Sequence, residues 1–166
     1  MPERKTIERA RKDKREGKAA STQAGEFVRE EMDHIREGKH GARSTKQAIA
    51  IGLSKARRAG VKLPPPKKGQ ASERTRESAR RAEQKGEQGD RTVSRKRSRA
   101  TSEALKREGH GAASKSALSK QARAAARKRT ARDRSAAARK AVRTKGAAER
   151  SAAARKAART RARNKG

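Results

Sequence analysis

The sequence predicts an all-α, mostly disordered protein with one small helical hairpin and a low-complexity, helix-prone tail rich in Ala, Arg and Lys. Three observations lead there. Leu, Ile, Val and Phe number only 13 of 166 residues, far below the roughly 20% under which a highly charged chain is expected to stay unfolded. Fifty Lys and Arg against 18 Asp and Glu give a formal net charge of +32. The chain therefore repels itself and has little apolar surface to offset the entropy of ordering. Most of its hydrophobic residues are Ala, which favours helix but adds little to a conventional core.

Residues 1–21 form a charged, helix-prone N-terminal segment. Next, TQAGEFVREEMDHIRE at 22–37 places Val28, Met32 and Ile35 at i, i+4 and i+7 with Phe27 beside them, one face of an amphipathic helix. Gly38 is placed to end it. A second helix starts at Ser44, with Gln47 three residues on as a capping box, and runs to Gly60. Its apolar stripe joins Ile49, Leu53 and Ala56 and leaves Ile51 outside. The two helices, joined by GKHGAR, make a hairpin within residues 22–62. Nine of the fifteen large apolar residues lie between Phe27 and Leu63, too few to make the hairpin more than marginal alone. Its acids Glu26, Glu30, Glu31, Asp33 and Glu37 are expected to meet its own basic second helix.

LPPPKKG opens a spacer at 63–70, because consecutive prolines cannot continue a helix and favour extended polyproline II. A mixed-charge, disordered or helical segment follows over 71–111. Residues 112–166 form a basic tail with 19 Lys and Arg against Asp133 and Glu149 alone. There RSAAARKAVRT at 134–144 returns as RSAAARKAART at 150–160, a repeat without the bulky side chains a solenoid needs. A second set of repeats, KREGKAAS at 14–21, IREGKHGARS at 35–44 and LKREGHGAAS at 105–114, reads as helix punctuation. In each, Arg-Glu-Gly would end one helix and Ser would begin the next.

The charge points to a polyanion, bound through counterion release. Nucleic acid is favoured over membrane, because the basic regions offer only Ala to a bilayer. DNA is the favoured form and RNA the other candidate. Arg outnumbers Lys 30 to 20, and its planar fork suits phosphate better than an ammonium does. Arg123 and Arg127, Arg139 and Arg143, and Arg155 and Arg159 are i, i+4 pairs on common helix sides. With Lys128, Arg129, Lys140 and Lys156 they make up the expected phosphate-binding set in the tail, which is expected to fold on its nucleic acid. Lys46, Lys55, Arg57 and Arg58 are the corresponding candidates on the second hairpin helix. Sequence readout is not expected, since single-strand readers stack bases on aromatics and the chain has one Phe and neither Tyr nor Trp.

An enzyme is not expected, nor a cofactor. There is no Cys, which excludes thiol chemistry and Cys-containing zinc sites. His34, His40 and His110 show no metal-ligand spacing, so no metal is expected. No Walker-type phosphate loop occurs. Ser98, within RKRSRATS, is a candidate phosphorylation site that would weaken DNA binding. The N-terminus has no apolar h-region and no window approaches a membrane span, so a soluble, cytoplasmic or nucleoid location is expected.

KHGARSTKQAIAIGLSKARRAG at 39–60 resembles the core of a family of small basic bacterial proteins grouped as a domain of unknown function, with an S-R-K-Q-A-I-A-I-A-L-S-type core. The likeness covers about residues 24–62. Thr45 stands where that family has Arg, and Gly52 where it has Ala, the latter weakening the helix by about 1 kcal/mol. The resemblance implies no activity. The rear third resembles, in composition, the tails of linker-histone-like bacterial nucleoid proteins. Together these readings make non-specific DNA binding and compaction the expected function. The alternative is an interaction module, in which the hairpin meets a protein partner or a second copy through Phe27, Val28, Met32, Ile35, Ile49, Ile51 and Leu53 while the tail tethers it to nucleic acid. Association with RNA or the ribosome is the third reading.

Overall fold

A computed structural model describes residues 2–89, 94–144 and 146–164. It is 74% helical, and the described residues hold α1 (Arg4–Arg15), α2 (Ala20–Arg36), α3 (Thr45–Arg58), α4 (Glu73–Glu87), α5 (Arg95–Lys106), a 3-10 turn η1 (Gly111–Ala113), α6 (Lys115–Arg127), α7 (Ala131–Thr144) and α8 (Ala147–Arg163). The all-α expectation stands, and the expectation of a mostly disordered chain is overturned. The chain divides into two compact units, residues 1–121 and 122–166, so the expected boundary at 112 moves to 121/122. Ala112 and Ala113 are buried in the first unit.

The hairpin is present, and it is not alone. α2 packs on α3, α1 packs on α2, α4 packs on α3, and η1 lies against both hairpin helices. One cluster gathers Met32, Ile35, Ala42, Ala48, Ala112 and Ala113, with Val28, Ile49 and Leu118 at its margin. A second gathers Ala10, Ala24, Phe27, Ala56 and Val61, bordered by Ile7, Ala20, Leu53 and Leu63. Among the described residues, nine of the thirteen buried hydrophobic ones are Ala. Alanine can fill a core only where backbones come close, and Gly52 shows how that is achieved. A Cβ at Gly52 would lie 2.7 Å from Val28 Cα and 2.9 Å from Val28 N, so α2 and α3 meet backbone to backbone. Gly86 plays the same part between α4 and the end of α3, where a Cβ would overlap the carbonyl of Arg57.

Local signals settle the helix ends. Ser44 accepts from the Gln47 N–H at 3.2 Å, and Gln47 accepts from the Arg43 N–H at 2.8 Å. Gly17, Gly38 and Gly60 all have positive φ. Each closes its helix with paired bonds such as Val61 N–H to Ala56 C=O and Gly60 N–H to Arg57 C=O, which satisfy the orphan carbonyls. The Arg-Glu-Gly punctuation therefore holds at 15–17 and 36–38. Of the serines, Ser44 and Ser114 cap α3 and α6, whereas Ser21 lies inside α2. The second and third repeats also touch each other. Gly41 N–H donates to Leu105 C=O at 2.9 Å and Ala42 N–H to Gly109 C=O at 3.1 Å. Thr45 Oγ1 donates to Ala112 C=O at 2.7 Å, and Arg36 Nε to Ala113 C=O at 3.1 Å.

The proline segment is not a free spacer. Arg57, buried at the end of α3, donates to the carbonyls of Leu63 at 3.0 Å and Pro64 at 3.1 Å. Arg76 of α4 donates to Pro66 C=O at 3.2 Å. The two guanidiniums pin the extended segment to the helices on either side, and the chain turns back to lay α4 on α3.

Charge is buried as well. Glu30 and Glu31 of α2 are 3% and 0% exposed, a cost unless paired. The backbone N–H of Glu3 donates to Glu30 at 3.3 Å. From α3, Lys55 Nζ lies 2.5 Å from Glu31 and 4.0 Å from Glu30. Glu26 pairs with Arg9 of α1 at 2.7 Å. So of the five acids Glu30 and Glu31 meet the second helix, through Lys55, whereas Glu26 pairs with Arg9 of α1, Asp33 with Arg29 and Arg36 of its own helix, and Glu37 with Lys39.

Candidate nucleic-acid interface

The second unit is built from sequence features that act locally. Thr130 caps α7, its Oγ1 accepting from the Asp133 N–H at 3.1 Å while Asp133 accepts from the Thr130 N–H at 3.2 Å. Glu149 lies in the first turn of α8. The only two acids of this unit thus sit at helix N-termini, where they complement the macrodipole. Residues 122–166 carry 17 Lys and Arg against those two acids, net +15 over 45 residues, and residues 1–121 carry 33 against 16, net +17.

Every described side chain from residue 122 onward is exposed. Arg123 and Arg127 lie on α6, Lys128 and Arg129 between α6 and α7, Arg139, Lys140 and Arg143 on α7, and Arg155, Lys156 and Arg159 on α8. All ten are solvent-facing. Arg150 reaches back to Val142 C=O at 3.2 Å, joining the start of α8 to α7. Val142 is 54% exposed and is the one exposed large hydrophobic residue among those described. The tail is therefore already helical, in contrast to the expected coil that folds on its target.

The hairpin candidates divide. Lys46 and Arg58 are exposed. Lys55 and Arg57 are corrected, because the first is committed to Glu31 and the second to the proline-segment carbonyls. Desolvation pushes the Arg57 guanidinium below its ordinary pKa, in keeping with a structural donor. The residues expected to face a partner are also corrected, since Phe27, Met32 and Ile35 are buried in the unit's own core. Val28, Ile49 and Leu53 lie at its margin, and Ile51 is half-buried on the helix that α4 covers.

Sequence reading passed over Arg95, Lys96, Arg97 and Arg99, which stand exposed on α5 and were noticed only as the setting of Ser98. Ser98 itself is exposed within that helix. The density of Arg and Lys in RKRSR was the signal that could have found them. Outside these basic surfaces, α2 and its C-terminal turn bring Glu31, His34 and His40 together, a grouping that residue spacing had excluded.

Residues 3–68 match a family of unknown function, DUF6496. The DUF6496 segment takes in α1, the hairpin and the proline segment, a wider span than the 24–62 of the recognised core. It ends before α4, so the tail helices lie outside it. Curated proteins and solved structures give no match to the chain. Among the described residues, no helix is long and apolar enough to cross a membrane.

Proposed function

We propose that the protein binds nucleic acid, duplex DNA first, by phosphate neutralisation without base reading, through the arm formed by residues 122–164. The observation that carries this reading is an arm of three exposed helical stretches with net charge +15, counted to residue 166, whose two acids are placed at helix starts. Like-charged i, i+4 neighbours destabilise a helix by a few tenths of a kcal/mol per pair. Phosphates remove that repulsion, and helical spacing sets Arg139 and Arg143, or Arg155 and Arg159, side by side for adjacent contacts. Such contacts fix position on a duplex and carry no sequence information.

Engaging about 8 phosphates gives a slope of about −7 for log affinity against log salt. Fluorescence anisotropy on duplexes of unrelated sequence, from low to physiological salt, measures that slope directly. A steep slope shared by all sequences supports the reading, and a flat one rejects it. Parallel titrations with duplex RNA assign the preferred polymer.

A further inference from the structure

We propose that Glu31, His34 and His40 form a binding site for a divalent transition-metal ion of the zinc class. Glu31 and His34 stand one turn apart on α2, and His40 follows two residues after the left-handed turn at Gly38. One ligand atom from each lies within 4.8 Å of the others. The two rings meet edge to face, centroids 6.1 Å apart at 88°. Imidazole nitrogen with carboxylate oxygen suits Zn, Ni, Co or Cu rather than Mg or Ca, and three protein ligands leave a fourth position for water.

The hydrogen bonds around the rings carry the argument. Gly41 C=O lies 3.0 Å from His40 Nδ1, and a carbonyl only accepts, so that nitrogen bears the proton. A neutral His40 then keeps its lone pair on Nε2. That atom lies 3.2 Å from Glu31 Oε1, which also carries only lone pairs. With His40 in that form two acceptors face each other inside the protein, an arrangement that a metal ion held between them would stabilise. Glu31 is 0% exposed and neither of its oxygens has a hydrogen-bond partner of acceptable geometry, although Lys55 supplies an ion pair to Oε2 at 2.5 Å. On His34, the carboxylate of Glu3 accepts from Nε2 at 2.9 Å. A carboxylate or carbonyl behind the ring is how metal-ligating histidines are usually oriented.

Charge balance agrees. Glu3, Glu30, Glu31 and Glu37 supply four negative charges and Lys39 and Lys55 two positive ones, so the cluster has net −2 with neutral histidines and can accept a dication. A bound ion would fasten α2 to the loop that leads into α3, and through Glu3 would hold the start of α1.

The test uses the untagged full chain, freed of nucleic acid and of metal. Addition of cobalt(II) is expected to produce a saturable visible absorption band at one equivalent, displaced by zinc, and zinc is expected to raise the melting temperature. His40→Gln, at a partly exposed position, should abolish the band and the shift while leaving the helical circular dichroism intact. Glu3→Gln should weaken zinc affinity about tenfold or more, and His110→Gln should change nothing. Absence of the band in the folded wild-type chain overturns the proposal and leaves a protonated His40 as the positive centre. A band that survives His40→Gln overturns it equally.

Discussion

Residues 1–121 and 122–164 are written in much the same alphabet, rich in Ala, Arg and Lys, yet one has a core and the other has none. In the first unit Ala10, Ala24, Ala48, Ala56, Ala79, Ala82 and Ala113 are all at least 94% buried. In the second every described alanine is exposed. The difference lies in what stands among the alanines. Phe27, Met32 and Ile35 give the first unit an anchor, and Gly52 and Gly86 let its helices approach until a methyl group is enough to fill the gap. The second unit has Val142 as its large apolar residue and one glycine before its terminus, Gly146, whose Cβ position meets nothing. Small residues build a core when backbones touch, because dispersion falls away steeply with even a small gap.

The sharpest way to break this contrast is to remove the anchor. Phe27→Ala should cost about 3–5 kcal/mol, enough to unfold the first unit in a denaturant titration followed by circular dichroism. Val142→Ala in the second should change stability by less than about 0.5 kcal/mol. The functional side of the contrast comes next. A chain ending at Gln121 should lose only the helical signal of the tail, keep the cooperative unfolding of the first unit, and bind duplex DNA at least about 100-fold more weakly at moderate salt, with a shallower salt slope, since phosphate contacts set that slope. Equal affinity would place the binding surface on the first unit instead.

Close approach can be tested at a single atom. Gly52→Ala should destabilise by about 1–3 kcal/mol through overpacking, even though Ala gains about 1 kcal/mol in helix propensity; a melting temperature that rises would show that α2 can yield. The smallest effect concerns the turn after α1. There a hydrogen bond from Lys18 holds the Glu16 carboxyl below its usual range. A depressed acid contributes stability above its unfolded pKa and loses it as the pH falls through the folded value. Lys18→Gln should therefore slightly flatten the acid limb of the melting temperature against pH, with little change at low pH where Glu16 is protonated.

Much of the hairpin was legible. Ser44 with Gln47, Gly38 and Gly60 mark its ends, and the stripe of Val28, Met32 and Ile35 marks its inner face. The order of the rest was not, because core strength was judged from large side chains alone. That measure discards Ala and takes Gly52 for a defect, when the missing Cβ is what brings α2 onto α3. The ten basic positions of the tail were legible as exposed charge, since nothing there can bury them. Lys55 and Arg57 were not, because a cation on a basic helix looks like any other until Glu31 or the carbonyls of Leu63 and Pro64 are placed beside it. The histidines were dismissed on spacing, although Glu31 and His34 at i, i+3 already share a helix face.

By itself, then, the sequence determined where the hairpin helices stop, where α3 starts and where charge is concentrated, because caps, left-handed glycines and charge runs act within a few residues. Only the tertiary structure decided that alanines would serve as core, that the proline segment would be pinned by Arg57 and Arg76, and that Glu31, His34, His40 and Lys55 would converge. Each of those depends on which backbone surfaces can come within van der Waals distance, a property of helices packed against one another that no local pattern contains.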